Sequence, residues 1–221
     1  MTDQEKYFQT ARALMVDCQV RPNDIVDRRI IAAMRTLRRE LFLPEPLGSL
    51  AYVDADIRLP NGRVMLAPLT IGRLLQAASV RAGDSVLVVG AGTAYGAAVL
   101  ARSGARVTAL ESDAGLRAIA KAALATEGVE VRLIEGELVA GDPAGGPYDL
   151  IVIEGKIEFI PDAFVEQLSA RGRLVAILAE RGLGRIAVAE PVSGGGFAHR
   201  VVADANAGSL PGFAKAREFV F

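Results

Sequence analysis

The sequence predicts an α/β fold: an open, largely parallel sheet, with a helical segment before it and an antiparallel hairpin after it. Three observations predict this. From Ala82-Gly83-Asp84 onward, short apolar runs alternate with longer amphipathic ones, the pattern of strands and helices taken in turn. The first apolar run, Ser85 to Val89, leads straight into Gly90-Ala91-Gly92, a strand followed by a sharp turn at which a ligand can approach bare backbone. The second run ends in an acid, Glu111, about 20 residues after the glycines.

The first 45 residues read as helical. Phe8, Ala11 and Met15 share a face at helical spacing; Asn23 and Asp24 supply caps for a second helix, with Val26, Ile30, Ala33, Met34 and Leu37 on its apolar face. Pro44 to Pro68, rich in proline and glycine, reads as a loop-rich connection. A βαβαβ unit follows: strand Ser85 to Val89, helix from about Tyr95, strand Arg106 to Leu110, helix Ala114 to Thr126, strand Val129 to Leu133. A strand at Tyr148 to Ile153, a helix from Pro161 to about Ala170 and a strand at Arg173 to Leu178 extend the parallel sheet. Gly184 to Glu190 and Phe197 to Ala203 flank Ser193-Gly194-Gly195-Gly196 and predict the edge hairpin; Phe219 to Phe221 is expected to add a last strand. With no long linker, residues 1–221 are expected to form one domain, 1–80 being an N-terminal helical and loop extension and 81–221 the core.

Composition narrows the function classes. A chain of 221 residues that is 51% hydrophobic has enough apolar material for a full core. A formal charge of −1 provides no basic field for nucleic acid, so no nucleic-acid partner is expected. Cys18 is the single cysteine and His199 the single histidine, which excludes an internal disulfide and a structural zinc cluster; no metal is expected. The first residues lack the pattern of a signal peptide, and no run of about 18 apolar residues occurs. A cytoplasmic protein without a membrane partner is the expectation.

In open α/β sheets, ligands bind beyond the carboxyl ends of the strands, where the strand order reverses. Gly90 and Gly92 end the first core strand, and Glu111 ends the second at the separation from which a carboxylate reaches a ribose. Taken alone, the glycines need only permit a tight turn; the matched strand, helix and acid favour a nucleotide-type cofactor. A P-loop is excluded because no Gly-Lys-Ser/Thr follows. Between a dinucleotide and S-adenosylmethionine, the missing third glycine of G-x-G-x-x-G and the absence of a large following domain lean toward the methyl donor. Glu135-Gly136-Glu137, after the third core strand, reads either as a solvated turn or as an adenine-side contact.

The chain resembles the protein-L-isoaspartate O-methyltransferase family over nearly its whole length. The resemblance rests on Met15-Val16-x-x-Gln19-x-Arg21, Asp27-Arg28-Arg29-Ile30 with Ala33-Met34, Arg39-x-x-Phe42-x-Pro44, Ala51-Tyr52-x-Asp54, Gly62 and Pro68. It continues through Val86-Leu87, Gly90-x-Gly92-x-x-Tyr95, Glu111, Gly136-Glu137 with Gly141, Pro147-Tyr148-Asp149, and Ile160-Pro161 with Gln167-Leu168. It implies a class I S-adenosylmethionine-dependent methyltransferase fold, Rossmann-like, with an N-terminal helical extension. It also implies S-adenosylmethionine as cofactor, and a protein or peptide substrate whose abnormal isoaspartyl carboxylate is methylated in protein repair. Gly90, Gly92, Glu111 and Glu137 match the family's cofactor positions, with Ala91, Tyr95, Ser112 and Gly136 beside them.

The sequence departs from the family at the reaction side. The family's Thr-Ile-Ser, whose hydroxyls line the reaction site, is Val64-Met65-Leu66; a histidine after the proline is Leu69; an acid in the first core strand is Val88; the third glycine is Ala94; and a threonine ending the fourth core strand is Glu154. Methyl transfer to a carboxylate needs little acid–base help, because a group with pKa near 4 is already ionised at neutral pH, so the sequence assigns no catalytic residue. A carboxylate placed against Val64 and Leu66 loses water without gaining a hydrogen bond, at a cost of several kcal/mol. Leu66 and Glu154 at these departures are candidate substrate-side residues; Tyr52 and Asp54, which match the family's motif, read either as substrate-side residues or as braces of the loop. Glu154 and Lys156, expected in the loop after the fourth core strand, read as solvated charges or as signs of another acceptor, such as an amine or hydroxyl. A non-catalytic binding module is the other functional class. Cys18 reads as a small core residue, and His199 as a surface or structural one.

Overall fold

A computed structural model of the chain describes residues 2–180 and 182–215. The strand expected at Phe219 to Phe221 lies outside the described residues. Helices α1 (Asp3–Leu14), α2 (Arg28–Thr36), α3 (Pro68–Ala78), α4 (Tyr95–Arg102) and α5 (Ala114–Glu127) accompany strands β1 (Ile57–Arg58), β2 (Val64–Met65), β3 (Ser85–Val89), β4 (Arg106–Leu110), β5 (Arg132–Ile134), β6 (Tyr148–Ile157), β7 (Leu168–Glu180), β8 (Leu183–Pro191) and β9 (Phe197–Asp204). β1 and β2 form a small antiparallel hairpin. The other seven strands make one sheet in the order β5-β4-β3-β6-β7-β8-β9. β5 to β7 are mutually parallel, while β8 and β9 run antiparallel at the edge. The chain leaves β3 toward β4 and β5 and then returns to the other side of β3 with β6, so the strand order reverses at β3.

Alternation along the strands sends Val86, Val88, Leu150, Val152, Val175 and Ile177 to one face, which packs with the N-terminal helices, α3 and α4. Leu87, Val89, Ile151, Ile153 and Leu174 point to the other face. That face is covered by Leu138, by Phe164, and by Leu210 and Phe213 of a coil strap that follows β9.

The expected helix from Pro161 to Ala170 is not formed: only a 3₁₀ turn, Asp162–Phe164, precedes β7. The geometry explains this. β6 ends at Ile157, whereas β7 must begin beside Tyr148, to which Leu168 is paired. The ten intervening residues have to travel back along a ten-residue strand, about 33 Å, and as a helix they would span about 15 Å.

The N-terminal half departs from expectation in smaller ways. Asp27, not Asn23 or Asp24, caps α2 by accepting from Arg29 N; Asp24 sits in the left-handed region at φ 62°, and Val26, ahead of the helix, is exposed. After α1, residues Met15–Val20 widen into a π-helical turn that buries Met15, Val16 and Val20 and leaves Cys18 exposed, so Cys18 is not a core residue. α3, masked in the sequence by the prolines before it, starts at Pro68 and buries Ile71, Leu74, Leu75 and Ala78.

Candidate cofactor and acceptor site

Gly90 and Gly92 lie at the carboxyl end of β3, where the strand order reverses, with φ of 69° and 57°, a region favouring glycine. The N–H groups of Gly90 and Ala91 both donate to Leu110 O at 3.0 and 3.2 Å, which folds the turn toward the end of β4. Ala94 keeps the left-handed backbone (φ 67°) immediately before α4, although it lacks glycine's freedom.

Glu111 directly follows β4 and is wholly buried. Its Oε2 accepts from Gly92 N at 2.6 Å; its Oε1 accepts from Asp113 N at 3.0 Å, from Ser112 Oγ at 3.4 Å and from Arg63 Nη1 at 2.6 Å. Four donors meet the roughly four lone-pair sites of a carboxylate, so its accepting capacity is filled. Arg63 comes from the turn before β2; it is also buried, and its Nη2 donates to Gly90 O at 2.8 Å. Leu210 of the strap lies on the same backbone: a Cβ on Gly90 would stand 2.7 Å from Leu210 Cδ1 and 3.3 Å from Arg63 Nη2. At Gly92, by contrast, a Cβ would meet no atom of the described residues within 4 Å. Sequence reasoning missed both Arg63 and Leu210. Arg63 carried a weak signal, as a cation directly ahead of the apolar Val64-Met65-Leu66; Leu210 carried none.

The acceptor side is built differently from the sequence expectation. Glu154 and Lys156 are not in a loop but inside β6, which runs past Ile153 because Lys156 and Ile157 pair with Ile177 and Leu178 of β7 across a bulge. Glu154 lies against the first turn of α4, where a Cβ on Gly96 would overlap its carboxyl. Its Oε1 is sealed from solvent and has no hydrogen-bond partner among the described residues. Burial pushes the carboxyl up to about 8, against the opposing pull of Arg63 and Arg39, with Glu111 adding to the rise.

Arg39 is fully buried beside this group. Its Nε donates to Ala51 O at 2.7 Å and its Nη2 to Leu66 O at 2.6 Å, and its guanidinium lies 4.6 Å from the Tyr95 ring centre. Tyr95, expected at the cofactor, is a core residue whose ring meets Phe42 edge-on. Leu66 is buried, and Val64 packs on Gly208 of the strap. Tyr52 braces the N-terminal layer: its hydroxyl donates to Glu40, and its carbonyl accepts from Gln19 Nε2 at 2.9 Å. Asp54 is exposed. Gly136 lies against Leu110 at the end of the neighbouring strand, and Glu137 is exposed beside it. His199 lies on edge strand β9, 3.1 Å from Glu180.

The family model described as Protein-L-isoaspartate(D-aspartate) O-methyltransferase matches residues 10–199. The chain belongs to this family. It is 41% identical over 165 residues to the protein-L-isoaspartate O-methyltransferase of Methylorubrum extorquens (strain PA1), covering 75% of this chain and 72% of that one. It is 37% identical over 180 residues to that of Methanoregula boonei, covering 81% and 83%. Among solved structures it is similar to a protein-L-isoaspartate O-methyltransferase at TM-score 0.76 and 21% identity, over 91% of this chain and 66% of that chain. A Plasmodium falciparum beta-aspartate methyltransferase in complex with S-adenosyl-L-homocysteine aligns at TM-score 0.74 and 16% identity, over 90% and 97%. These likenesses bear out the class I methyltransferase fold with its Rossmann-like sheet.

In a protein-L-isoaspartate O-methyltransferase scaffold, the backbone of this site suits an adenosyl cofactor, and Arg63 and Leu210 lie across it in this structure. The glycine turn sits at the switch point and Gly92 has room above it, but Glu111 is saturated and Gly90 is covered by Leu210 and Arg63.

Proposed function

We propose that this chain is an S-adenosylmethionine-dependent methyltransferase acting on protein or peptide carboxylates, isoaspartyl residues in damaged protein being the substrate class for which its relatives are named. The observation that carries the reading is the position of Gly90, Gly92 and Glu111 at the switch point of a sheet whose chain belongs to this family. Bound there, the cofactor supplies an activated methyl group; the protein's task is to orient an acceptor oxygen, since an ionised carboxylate needs no general base. Gly136 and Glu137 are assigned to the adenine side and Ser112 to the ribose side. A cytoplasmic setting belongs to the same proposal and is supported by the lone, unpaired Cys18.

A second reading concerns the acceptor alone. Val64 and Leu66 offer no hydroxyl, and Glu154, with its proton retained near neutral pH, offers a donor suited to an uncharged acceptor such as a hydroxyl. The discriminating experiment is transfer of labelled methyl from S-adenosylmethionine to an isoaspartyl peptide, by the wild type and by Val64→Thr/Leu66→Ser. Labelling that rises at least about tenfold in the double variant, equivalent to about 1.4 kcal/mol in the barrier, supports the isoaspartyl reading. Tight cofactor binding with an unlabelled peptide in both proteins rejects that acceptor in favour of the second reading.

A further inference from the structure

Two separate pieces of chain meet on the glycine turn. One is the β1–β2 hairpin, which delivers Arg63 to Glu111 Oε1 and Gly90 O. The other is the strap after β9, anchored like an added strand along the overrun of β6. Lys156 N donates to Gly208 O at 2.9 Å, Leu210 N donates to Lys156 O at 2.8 Å, and Glu158 N donates to Phe213 O at 3.0 Å. The two pieces also hold each other. Val64 packs on Gly208, and Asp56, which accepts from Ala67 N of the hairpin side at 2.8 Å, lies close to the Gly208 backbone. Leu210, almost without exposure, fills the angle between Gly90 and Gly155.

We propose that Arg63 and Leu210 form an intramolecular latch over the adenosyl-cofactor position, so that an adenosyl ligand binds only after Arg63 leaves Glu111 and Leu210 leaves Gly90. The inference rests on the reading of Gly90, Gly92 and Glu111 as the cofactor position. The chemistry of the latch is substitution. A guanidinium donates to the carboxylate oxygens in place of ribose hydroxyls, and a leucine side chain covers the glycine backbone in place of the ligand. Because the latch is made by two segments that brace each other through Val64, Gly208 and Asp56, it opens as a unit. The apparent affinity of the ligand is then its intrinsic affinity reduced by the fraction of molecules that are open.

Binding of S-adenosylhomocysteine, measured by calorimetry on the full chain, tests the latch. Arg63→Gln and Leu210→Ala are each expected to tighten binding by at least about tenfold, the gain for a closed state that predominates by that factor. A second measurement guards against poor folding of Arg63→Gln. In the wild-type protein, amide exchange over residues 205–213 is expected to rise when S-adenosylhomocysteine is added, whereas exchange in β3 and β4 falls. Wild-type binding that neither variant tightens, with exchange over 205–213 unchanged or slowed by the ligand, overturns the latch and leaves the proposed function standing. No binding by the wild type or by either folded variant overturns the proposed cofactor position, and the latch with it.

Discussion

Replacing Glu154 by glutamine probes most directly the part-buried carboxyl beside α4, one oxygen of which is sealed from solvent. Burial raises its folded-state pKa to about 8 from the ordinary 4.5. Between those values the native chain keeps a proton that the unfolded chain has lost, so the wild type loses stability as pH rises through the window and changes little on this account outside it. A gap of about 3.5 pH units at about 1.36 kcal/mol each sets a ceiling of about 5 kcal/mol, most of it accrued by pH 8. Glu154→Gln keeps the shape and removes the titration. Its stability relative to wild type, from urea unfolding at pH 5, 7 and 9, is expected to grow from under about 1 kcal/mol to about 3 and then to between about 4 and 5. Other titrating groups are shared by the two proteins and cancel in the difference. A difference that stays flat from pH 5 to 9 refutes the reasoning and means that the carboxyl is solvated or paired in the native state.

Two further substitutions follow from the packing around the site. Gly90→Ala places a methyl at φ 69° and 2.7 Å from Leu210 Cδ1; it is expected to cost about 2 kcal/mol in thermal or urea unfolding, with a smaller cost in a Leu210→Ala background because the contact is shared. Arg39→Met fills the space but strips the donors from Ala51 O and Leu66 O; a loss of about 2–4 kcal/mol is expected, read as a lower urea midpoint with an unchanged slope.

Much of the fold was legible because its signals are local. The apolar runs of β3 and β4, the glycine turn and the hairpin around Ser193-Gly194-Gly195-Gly196 each depend on a few consecutive residues. What was not legible depends on distance across the molecule. The helix expected after Pro161 fails because the chain must run the length of β6, and that length is set by pairing with β7. Cys18 turns outward because one π-helical turn shifts the phase of an otherwise regular pattern. In the site, the positions of Gly90, Gly92 and Glu111 could be read from strand ends. The occupation of Glu111 by Arg63, 48 residues earlier in the chain, and the cover of Gly90 by Leu210 could not. Tyr95 followed the family pattern and yet serves the core, where Arg39 and Phe42 surround it.

The overrun of β6 has a consequence for how this family member can change. Loops accept insertions and deletions with little effect on their neighbours, and substrate-facing residues are commonly altered that way. Lys156 and Ile157, beyond the bulge that contains Glu154, are instead held in register with β7, and Lys156 also bonds to the strap on its other side. Adding or removing one residue there would turn each following side chain to the opposite face and break both sets of pairings. Around Glu154, exchange of one residue for another at fixed length is therefore the change that keeps both sets of pairings at Lys156 and Ile157.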